Sequence, residues 1–155
     1  PESVQIVVIG GTEAQILKLC LLYPRIRFLG YRPYAELPDN QNAADVLVLT
    51  GDPRSTVAQF YTSPLKLFTY MASGVPIVAT DLPSFRDVLS EQEAFFCEPN
   101  AAALAEALLF AVTHPEDAAG RAKCAQQKVR AFSWVERARV ISTFCATASK
   151  TVHVV

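Results

Sequence analysis

The segment from Thr62 to Lys66 is the part of the sequence best suited to bind an anion. Ser63 is a preferred helix N-cap residue, and Pro64 suits the first helical position because no N–H is needed there. The backbone N–H groups at a helix start carry the positive end of the helix dipole. Lys66 in the first turn opposes this dipole, which makes most sense beside an anion. The residues alone leave two interpretations open, an anion site or an ordinary helix cap.

The pair Gly10-Gly11 is a second place where backbone N–H groups are free of bulky side chains. A phosphate or diphosphate requires such a surface, but a simple tight turn explains the pair equally well. The pair lacks the GxGxxG spacing of dinucleotide-binding proteins, and no acidic residue follows the second predicted strand. Both facts disfavour a dinucleotide-dependent oxidoreductase.

Cysteine and histidine placement argues against a metal site. The two histidines are far apart in the sequence, and the four cysteines show no CxxC pairing. Three cysteines lie in apolar helical or strand contexts, which predicts buried thiols in a reducing compartment. We therefore expect no metal and no other cofactor. The cysteines are Cys20, Cys97, Cys124 and Cys145.

Length and composition indicate one globular domain. The chain has 155 residues, of which 51% are hydrophobic, and its net charge is -1. This balance excludes a dedicated nucleic-acid or membrane-surface protein, and no apolar run approaches a membrane span. No signal peptide is evident, and a chain that begins at Pro1 is expected to be cut or processed from a longer one. We expect a cytoplasmic protein, either free or at the inner face of a membrane in the intact enzyme.

Strand-like and helix-like segments alternate along the chain, which predicts a doubly wound parallel α/β sheet. The predicted strands are residues 4–9, 25–29, 45–49, 77–79 and 94–97, and their continuous apolar runs are typical of strands covered on both faces. The predicted helices are 13–22, 35–42, 64–73, 84–89, 101–113, 115–132 and 134–149, with N-caps at Thr12, Ser63, Ser84, Asn100 and Ser133. The domain is expected over residues 1–149, followed by a tail over residues 150–155 that could form an extra strand. Ligands of such sheets bind at the carboxyl ends of the strands.

Residues 63–89, SPLKLFTYMASGVPIVATDLPSFRDVL, resemble the C-terminal, donor-binding half of GT-B glycosyltransferases of the family-four type. Residues 9–13, 28–31, 44–49 and 133–138 resemble other segments of the family more weakly, and they occur in the same order as in the family. The resemblance therefore extends to about Cys145. It implies a Rossmann-like fold and a nucleotide-diphosphate sugar of the UDP or GDP type as partner. It also implies glycosyl transfer to an unknown acceptor without an obligatory metal.

The resemblance assigns donor-binding positions but no catalytic residue. Tyr31 and Arg32 would lie beside the base, Lys66 would lie near the diphosphate, and Arg86 would brace the helix that follows it. Backbone contacts to the diphosphate would come from Ser63, Pro64 and Leu65. Gly10 and Gly11 occupy the family's second-strand turn and join the predicted donor site.

Two positions depart from the family pattern. Thr69 stands where the family carries a Glu that accepts hydrogen bonds from the ribose, and Tyr61 stands where many members carry another Glu facing the sugar. Replacing a charged acceptor by a hydroxyl is expected to cost about 1.5–3 kcal/mol, or one to two decades of affinity. A catalytically degraded nucleotide-binding or assembly module is therefore the alternative function.

The family's first strand and its N-terminal acceptor domain have no counterpart in this sequence. In the order 3-2-1-4-5-6 that strand lies centrally, so residues 4–9 and 45–49 would flank an empty slot with exposed edges. Either the strands close up, or the slot is filled by residues 151–155 or by the equivalent run of a neighbouring chain, which would give a homo-oligomer. The isolated chain is expected to be inactive in transfer.

Overall fold

The computed structural model describes residues 4–62 and 65–151, and it describes side chains as far as Thr147. Strands and helices alternate, as predicted. The strands are β1 (Ile6–Ile9), β2 (Ile26–Gly30), β3 (Leu47–Leu49), β4 (Ile77–Thr80) and β5 (Phe95–Cys97). The α-helices are α1 (Glu13–Leu22), α2 (Leu37–Asn42), α3 (Leu65–Ser73), α4 (Pro83–Arg86), α5 (Ala101–Thr113), α6 (Pro115–Lys128) and α7 (Trp134–Thr151). Short 3-10 segments cover Tyr34–Glu36 and Val129–Phe132.

The chain divides into two compact units, the first ending at Asn40 and the second beginning at Gln41. The described strands divide in the same way. β1 and β2 form one parallel pair, and β3, β4 and β5 form a parallel sheet in that order. The expectation that residues 4–9 and 45–49 close up, or that another segment fills the slot between them, stays a prediction. The single domain over residues 1–149 stays a prediction.

In the first unit, β1 and β2 pair with Ile6 opposite Ile26, and a bulge interrupts the register between Val8 and Ile9. The predicted cap of α1 is confirmed, because the Thr12 hydroxyl accepts from the Gln15 N–H and the Gln15 side chain accepts from the Thr12 N–H. The residues of β1 are 38–48% exposed, so the prediction that this strand is covered on both faces is wrong. The apolar run forms a strand, as predicted. The elements that would bury this strand on both faces are not among the described residues of this unit.

The second unit holds the core, and β4 lies at its centre with all four residues buried. Alternate side chains of a strand point to opposite faces. Ile77 and Ala79 accordingly pack in a cluster with Leu67 and Met71 of α3. Val78 packs in a second cluster, with members from β5, α5 and α6. A parallel sheet covered on both faces by helices is the doubly wound arrangement that the sequence predicts.

Three segments differ from their predicted secondary structure. α4 ends at Arg86 instead of continuing to residue 89, and Ser84 lies inside it and donates to the Ala58 carbonyl oxygen at 2.7 Å instead of capping. Residues 57–61, predicted as loop, form one turn of π-helix. α7 extends through Thr151, the first residue of the predicted extra strand, and residues 152–155 lie outside the described part of the chain.

The prediction of buried thiols holds for Cys97, whose pKa is raised by burial. The three helical cysteines are exposed, so the prediction is wrong for those of them that lie in apolar contexts. Cys124 shows the reason, because its neighbours Ala122 and Ala125 are 2% and 1% exposed while it points outward. An apolar sequence context does not fix which face of a helix one residue occupies.

Candidate functional site

The predicted donor-binding residues divide between the two units. Gly10, Gly11, Tyr31 and Arg32 belong to the first, and Leu65, Lys66 and Thr69 belong to the second. Ser63 and Pro64, which the sequence predicts as N-cap and first helical residue, lie outside the described residues.

In the first unit, Gly10 and Gly11 form the turn from β1 into α1. Their φ angles of 110° and 89° lie in the left-handed region, where residues other than glycine are strained. The Gly10 N–H donates to the Gly30 carbonyl oxygen at 2.7 Å, and Gly30 has a φ of 71°. The turn after β1 therefore has a backbone that only glycine adopts easily.

The same hydrogen bond brings the segment after β2 to the carboxyl edge of this sheet. Tyr31 follows Gly30 directly and is 77% exposed, and Arg32 is also exposed. No described hydrogen bond or ion pair involves the side chain of either residue. Four predicted donor-binding residues thus lie at one edge of the first unit, with a guanidinium and a phenol ring facing solvent.

In the second unit, the carboxyl ends of β3 and β4 are tied together in a similar way. The Gly51 N–H donates to the Thr80 hydroxyl at 3.2 Å, although the two residues are 29 positions apart. A Cβ atom on Gly51 would lie 2.4 Å from the Leu82 side chain, so this close approach needs a glycine. The long segment between Thr50 and Thr62 leaves the sheet at this edge and leads to α3.

Helix α3 is anchored by its buried face. Leu67 and Met71, one turn apart, are both fully buried. Their burial leaves the first two residues outside, with Leu65 76% exposed and Lys66 exposed. Among the described residues, Lys66 makes no ion pair. A solvated cation therefore lies in the first turn of a nine-residue helix, at the end where the dipole favours negative charge.

Thr69 lies one turn after Leu65 and is part of a short hydrogen-bond chain. Its hydroxyl donates to the Lys66 carbonyl oxygen at 2.9 Å and accepts from Gln41 Nε2 at 3.1 Å. Gln41 belongs to α2 and is 8% exposed. Sequence reasoning singled out Thr69 but missed Gln41, since a glutamine in a short helix between Pro38 and β3 carries no recognisable signal.

Arg86 lies in an ion cluster between α4 and β5, and its predicted role of bracing the helix that follows it stays a prediction. Its guanidinium makes two hydrogen bonds to the Asp81 carboxylate at 2.7 and 2.8 Å, pairs with Glu91, and lies 3.7 Å from the Phe96 ring centroid. The hydrogen bonds from Arg86 lower the pKa of Asp81 and the pKa of Glu91. Arg86 thus connects the loop after β4 with the segment after α4.

A cavity of about 470 Å³ lies beside this ion cluster along β5. Two guanidinium groups line it, but Arg86 is paired with two carboxylates and Arg121 is paired with Asp117 at 3.1 Å. The cavity contains none of the predicted donor-binding residues. Since its cations are already neutralised, it does not provide an anion site. Its lining is Asp81, Arg86, Glu91, Phe95, Phe96, Cys97, Glu98, Ala107, Phe110 and Arg121.

Within the described residues, no group of three or more His, Cys, Asp or Glu side chains is arranged to hold a metal ion. No helix in the same residues has both the length and the apolar character needed to cross a membrane.

Comparison with known proteins gives one family match. The model of the glycosyl transferases group 1 family matches residues 1–114, which include every predicted donor-binding residue. A search of curated protein sequences gives no match.

Solved structures share the fold at low sequence identity. HepE from Anabaena, crystallised with UDP-glucose, superposes with a TM-score of 0.76 at 20% identity, over 95% of this chain and 42% of HepE. Sucrose-phosphate synthase from Thermosynechococcus elongatus gives 0.71 at 23%, over 92% of this chain and 39% of the synthase. The C-terminal domain of a glycosyl transferase group 1 family protein, LpcC, from Francisella tularensis gives 0.54 at 19%, over 76% of this chain and 58% of that domain. The chain thus spans about two fifths of the first two relatives, and the predicted Rossmann-like α/β fold is confirmed.

Proposed function

Because this chain belongs to the glycosyl transferases group 1 family, we propose that it binds the nucleotide-diphosphate part of a sugar donor. The donor would serve glycosyl transfer to an acceptor held by another domain. The observation that carries this proposal is the start of α3, where Lys66 is exposed and has no acidic partner among the described residues. A diphosphate satisfies both the cation and the helix dipole at this point.

The proposed donor is of the UDP or GDP type. HepE was crystallised in complex with UDP-glucose and, in a second crystal structure, with UDP. These complexes support a uridine nucleotide as the first probe for this chain. The exposed ring of Tyr31 and the guanidinium of Arg32 are the proposed contacts of the base, and the Gly10-Gly11 turn is a proposed contact of the donor.

The proposed chemical role is stabilisation of the leaving nucleoside diphosphate. As the bond to the sugar breaks, negative charge grows on the diphosphate, and fixed N–H dipoles and Lys66 act on this charge without reorganising. No residue of this chain is proposed as a nucleophile or a general base. We propose that the chain alone does not transfer sugar, because it spans about two fifths of HepE and of the synthase.

Calorimetric titration of the 155-residue chain with UDP and GDP tests the proposal, with Lys66→Ala as the decisive variant. We expect Lys66→Ala to weaken binding about fivefold to tenfold, which corresponds to about 1–1.4 kcal/mol for an exposed charge near a phosphate. Lys123→Ala is the matched control, because Lys123 is an exposed lysine of α6 with no ion pair among the described residues. Absence of nucleotide binding by the folded chain, or equal effects of the two variants, would contradict the proposed site.

A second candidate function is a module that keeps the fold but no longer serves turnover. The observation in its favour is Thr69, whose single O–H is already donated to the Lys66 carbonyl oxygen. This module would bind nucleotide at millimolar concentration or not at all. Its distinguishing result is weak UDP binding that replacement of Thr69 by glutamate does not improve.

Among the described strands, β1 pairs only with β2, and the other edge of β1 is proposed as a self-association surface of the isolated chain. All four residues of β1 are apolar, and each is more than a third exposed. Unpaired, apolar strand edges tend to pair with another strand. A second copy of the chain is the proposed partner of this edge.

A further inference from the structure

Gln41 is a buried amide with most of its hydrogen-bonding capacity unused. Its side chain can make four hydrogen bonds, two as donor and two as acceptor. One is described, from Nε2 to the Thr69 hydroxyl at 3.1 Å. The other buried polar side chains of the same unit are tied into the fold: Thr80 accepts from Gly51, Ser84 donates to Ala58, and Glu93 bonds Ser90 and Lys128.

The bond to Thr69 fixes which way the amide points. A threonine hydroxyl has one hydrogen, and Thr69 donates it to the Lys66 carbonyl oxygen at 2.9 Å. Thr69 can therefore only accept from Gln41, so the NH2 group of Gln41 faces Thr69. The carbonyl oxygen Oε1 is consequently turned away from Thr69.

Gln41 Oε1 is not sealed inside the protein. Among the described residues, no fully buried side-chain nitrogen or oxygen lacks a hydrogen-bond partner. Oε1 accepts no described hydrogen bond, so it must retain contact with solvent although the residue is only 8% exposed. A fixed acceptor with little exposed surface thus lies one hydrogen bond away from Thr69 of α3.

We propose that Gln41 is a further donor-binding residue and that its carbonyl oxygen accepts a hydrogen bond from a ribose hydroxyl of the nucleotide. The proposal rests on the proposed function, and it takes the ribose to lie beside Thr69, where the resemblance to the family implies it. Gln41 is 28 positions from Thr69 in the sequence, and the fold of the second unit brings the two side chains within hydrogen-bond distance.

The chemistry of this pair favours a ribonucleotide. A carbonyl oxygen only accepts, so it recognises a hydroxyl and gains nothing from the C–H of a deoxyribose. Thr69 keeps one lone pair for a second hydroxyl. The two neutral acceptors, Gln41 and Thr69, would together replace the charged glutamate that the family carries at the position of Thr69. Their geometry is fixed before the nucleotide binds.

The test is a comparison of ribose and deoxyribose ligands on the 155-residue chain. UDP, 2′-deoxy-UDP and 3′-deoxy-UDP are titrated into the unmodified chain and into Gln41→Met, which keeps the side-chain volume but removes both polar atoms. The matched control is Gln126→Met, since Gln126 Nε2 donates to the Ala72 carbonyl oxygen at 3.3 Å near the other end of α3. If GDP binds more tightly than UDP, the guanosine series is used.

We expect the unmodified chain to prefer UDP over one deoxy analogue by about twofold to tenfold, the range of one neutral hydrogen bond. Gln41→Met should abolish this preference, and Gln126→Met should retain it. If Gln41→Met does not fold, Gln41→Glu, which keeps an acceptor oxygen, should preserve or increase the preference.

Three results obtained with the variants would overturn the inference. They are a Gln41→Met chain that loses affinity equally for UDP and both analogues, one that keeps the full preference, and a Gln41→Glu chain that loses it. An unmodified chain that binds UDP without any ribose preference refutes this inference alone. An unmodified chain that binds neither UDP nor GDP refutes the proposed function and the inference together.

Discussion

Replacement of Thr69 by glutamate is expected to tighten UDP binding. Thr69 is half-buried, and its hydroxyl bridges Gln41 Nε2 and the Lys66 carbonyl oxygen. A glutamate reaches farther from the helix, so one carboxylate oxygen can accept from Gln41 while the other remains for a ribose hydroxyl. The new acceptor is charged, whereas the old one is neutral.

The magnitude follows from the two kinds of hydrogen bond. A neutral hydrogen bond contributes about 0.5–1.5 kcal/mol and one to a charged group about 1.5–3 kcal/mol. The difference of about 1–1.5 kcal/mol corresponds to about five- to twelvefold tighter binding. Folding stability should change little, because the lost bond to Lys66 is offset by the higher helix propensity of glutamate.

Calorimetry at neutral pH measures this gain, with thermal unfolding as a check on folding. Thr113→Glu is the matched control, since Thr113 is an exposed threonine of α5 that also donates to a carbonyl oxygen of its own helix. The control adds the same charge away from α3 and should not strengthen binding. A Thr69→Glu chain that folds normally but binds UDP no more tightly refutes the assignment of Thr69 to the ribose. It would favour the module without turnover.

Two further predictions concern stability and association. Burial of Glu93 acts against its charge, but hydrogen bonds from Ser90 and Lys128 outweigh it and lower its pKa below the ordinary 4.5. The ionised Glu93 therefore stabilises the folded state fully above the pKa that Glu93 has in the unfolded chain. This stabilisation is lost as pH falls through the lower pKa that Glu93 has in the folded chain. Between pH 3 and 7, the melting temperature should fall less on acidification for Glu93→Gln than for the unmodified chain. Parallel curves of melting temperature against pH would contradict this. For the edge of β1, sedimentation should show a dimer that Val7→Lys converts to monomer, and a monomer at all concentrations would refute self-association.

Local chemistry made much of the secondary structure predictable. Thr12, Asn100 and Ser133 were predicted as N-caps, and each accepts from the N–H three residues later. The glycines of the turn after β1 have positive φ angles, which depend on the same few residues. These features depend on bonds within a few residues, so the sequence contains all the atoms that decide them.

Burial was less predictable, because it depends on what covers a segment. The apolar residues of β1 and β4 look alike in the sequence, yet β4 is buried and β1 is exposed. The prediction of burial was wrong for helical cysteines for the same reason. A hydrophobic residue tends to be buried, but the element that buries it comes from a distant part of the chain or from another chain.

At the start of α3, some features depend on local sequence and others depend on tertiary packing. The sequence by itself determined the family segment, the helix after residue 64, the cation in its first turn and the departure at Thr69. Only the tertiary structure decided what surrounds Thr69, because Gln41 reaches it from another helix across 28 residues. Helix formation depends on neighbours along the chain, whereas the partner of a side chain depends on how the helices pack.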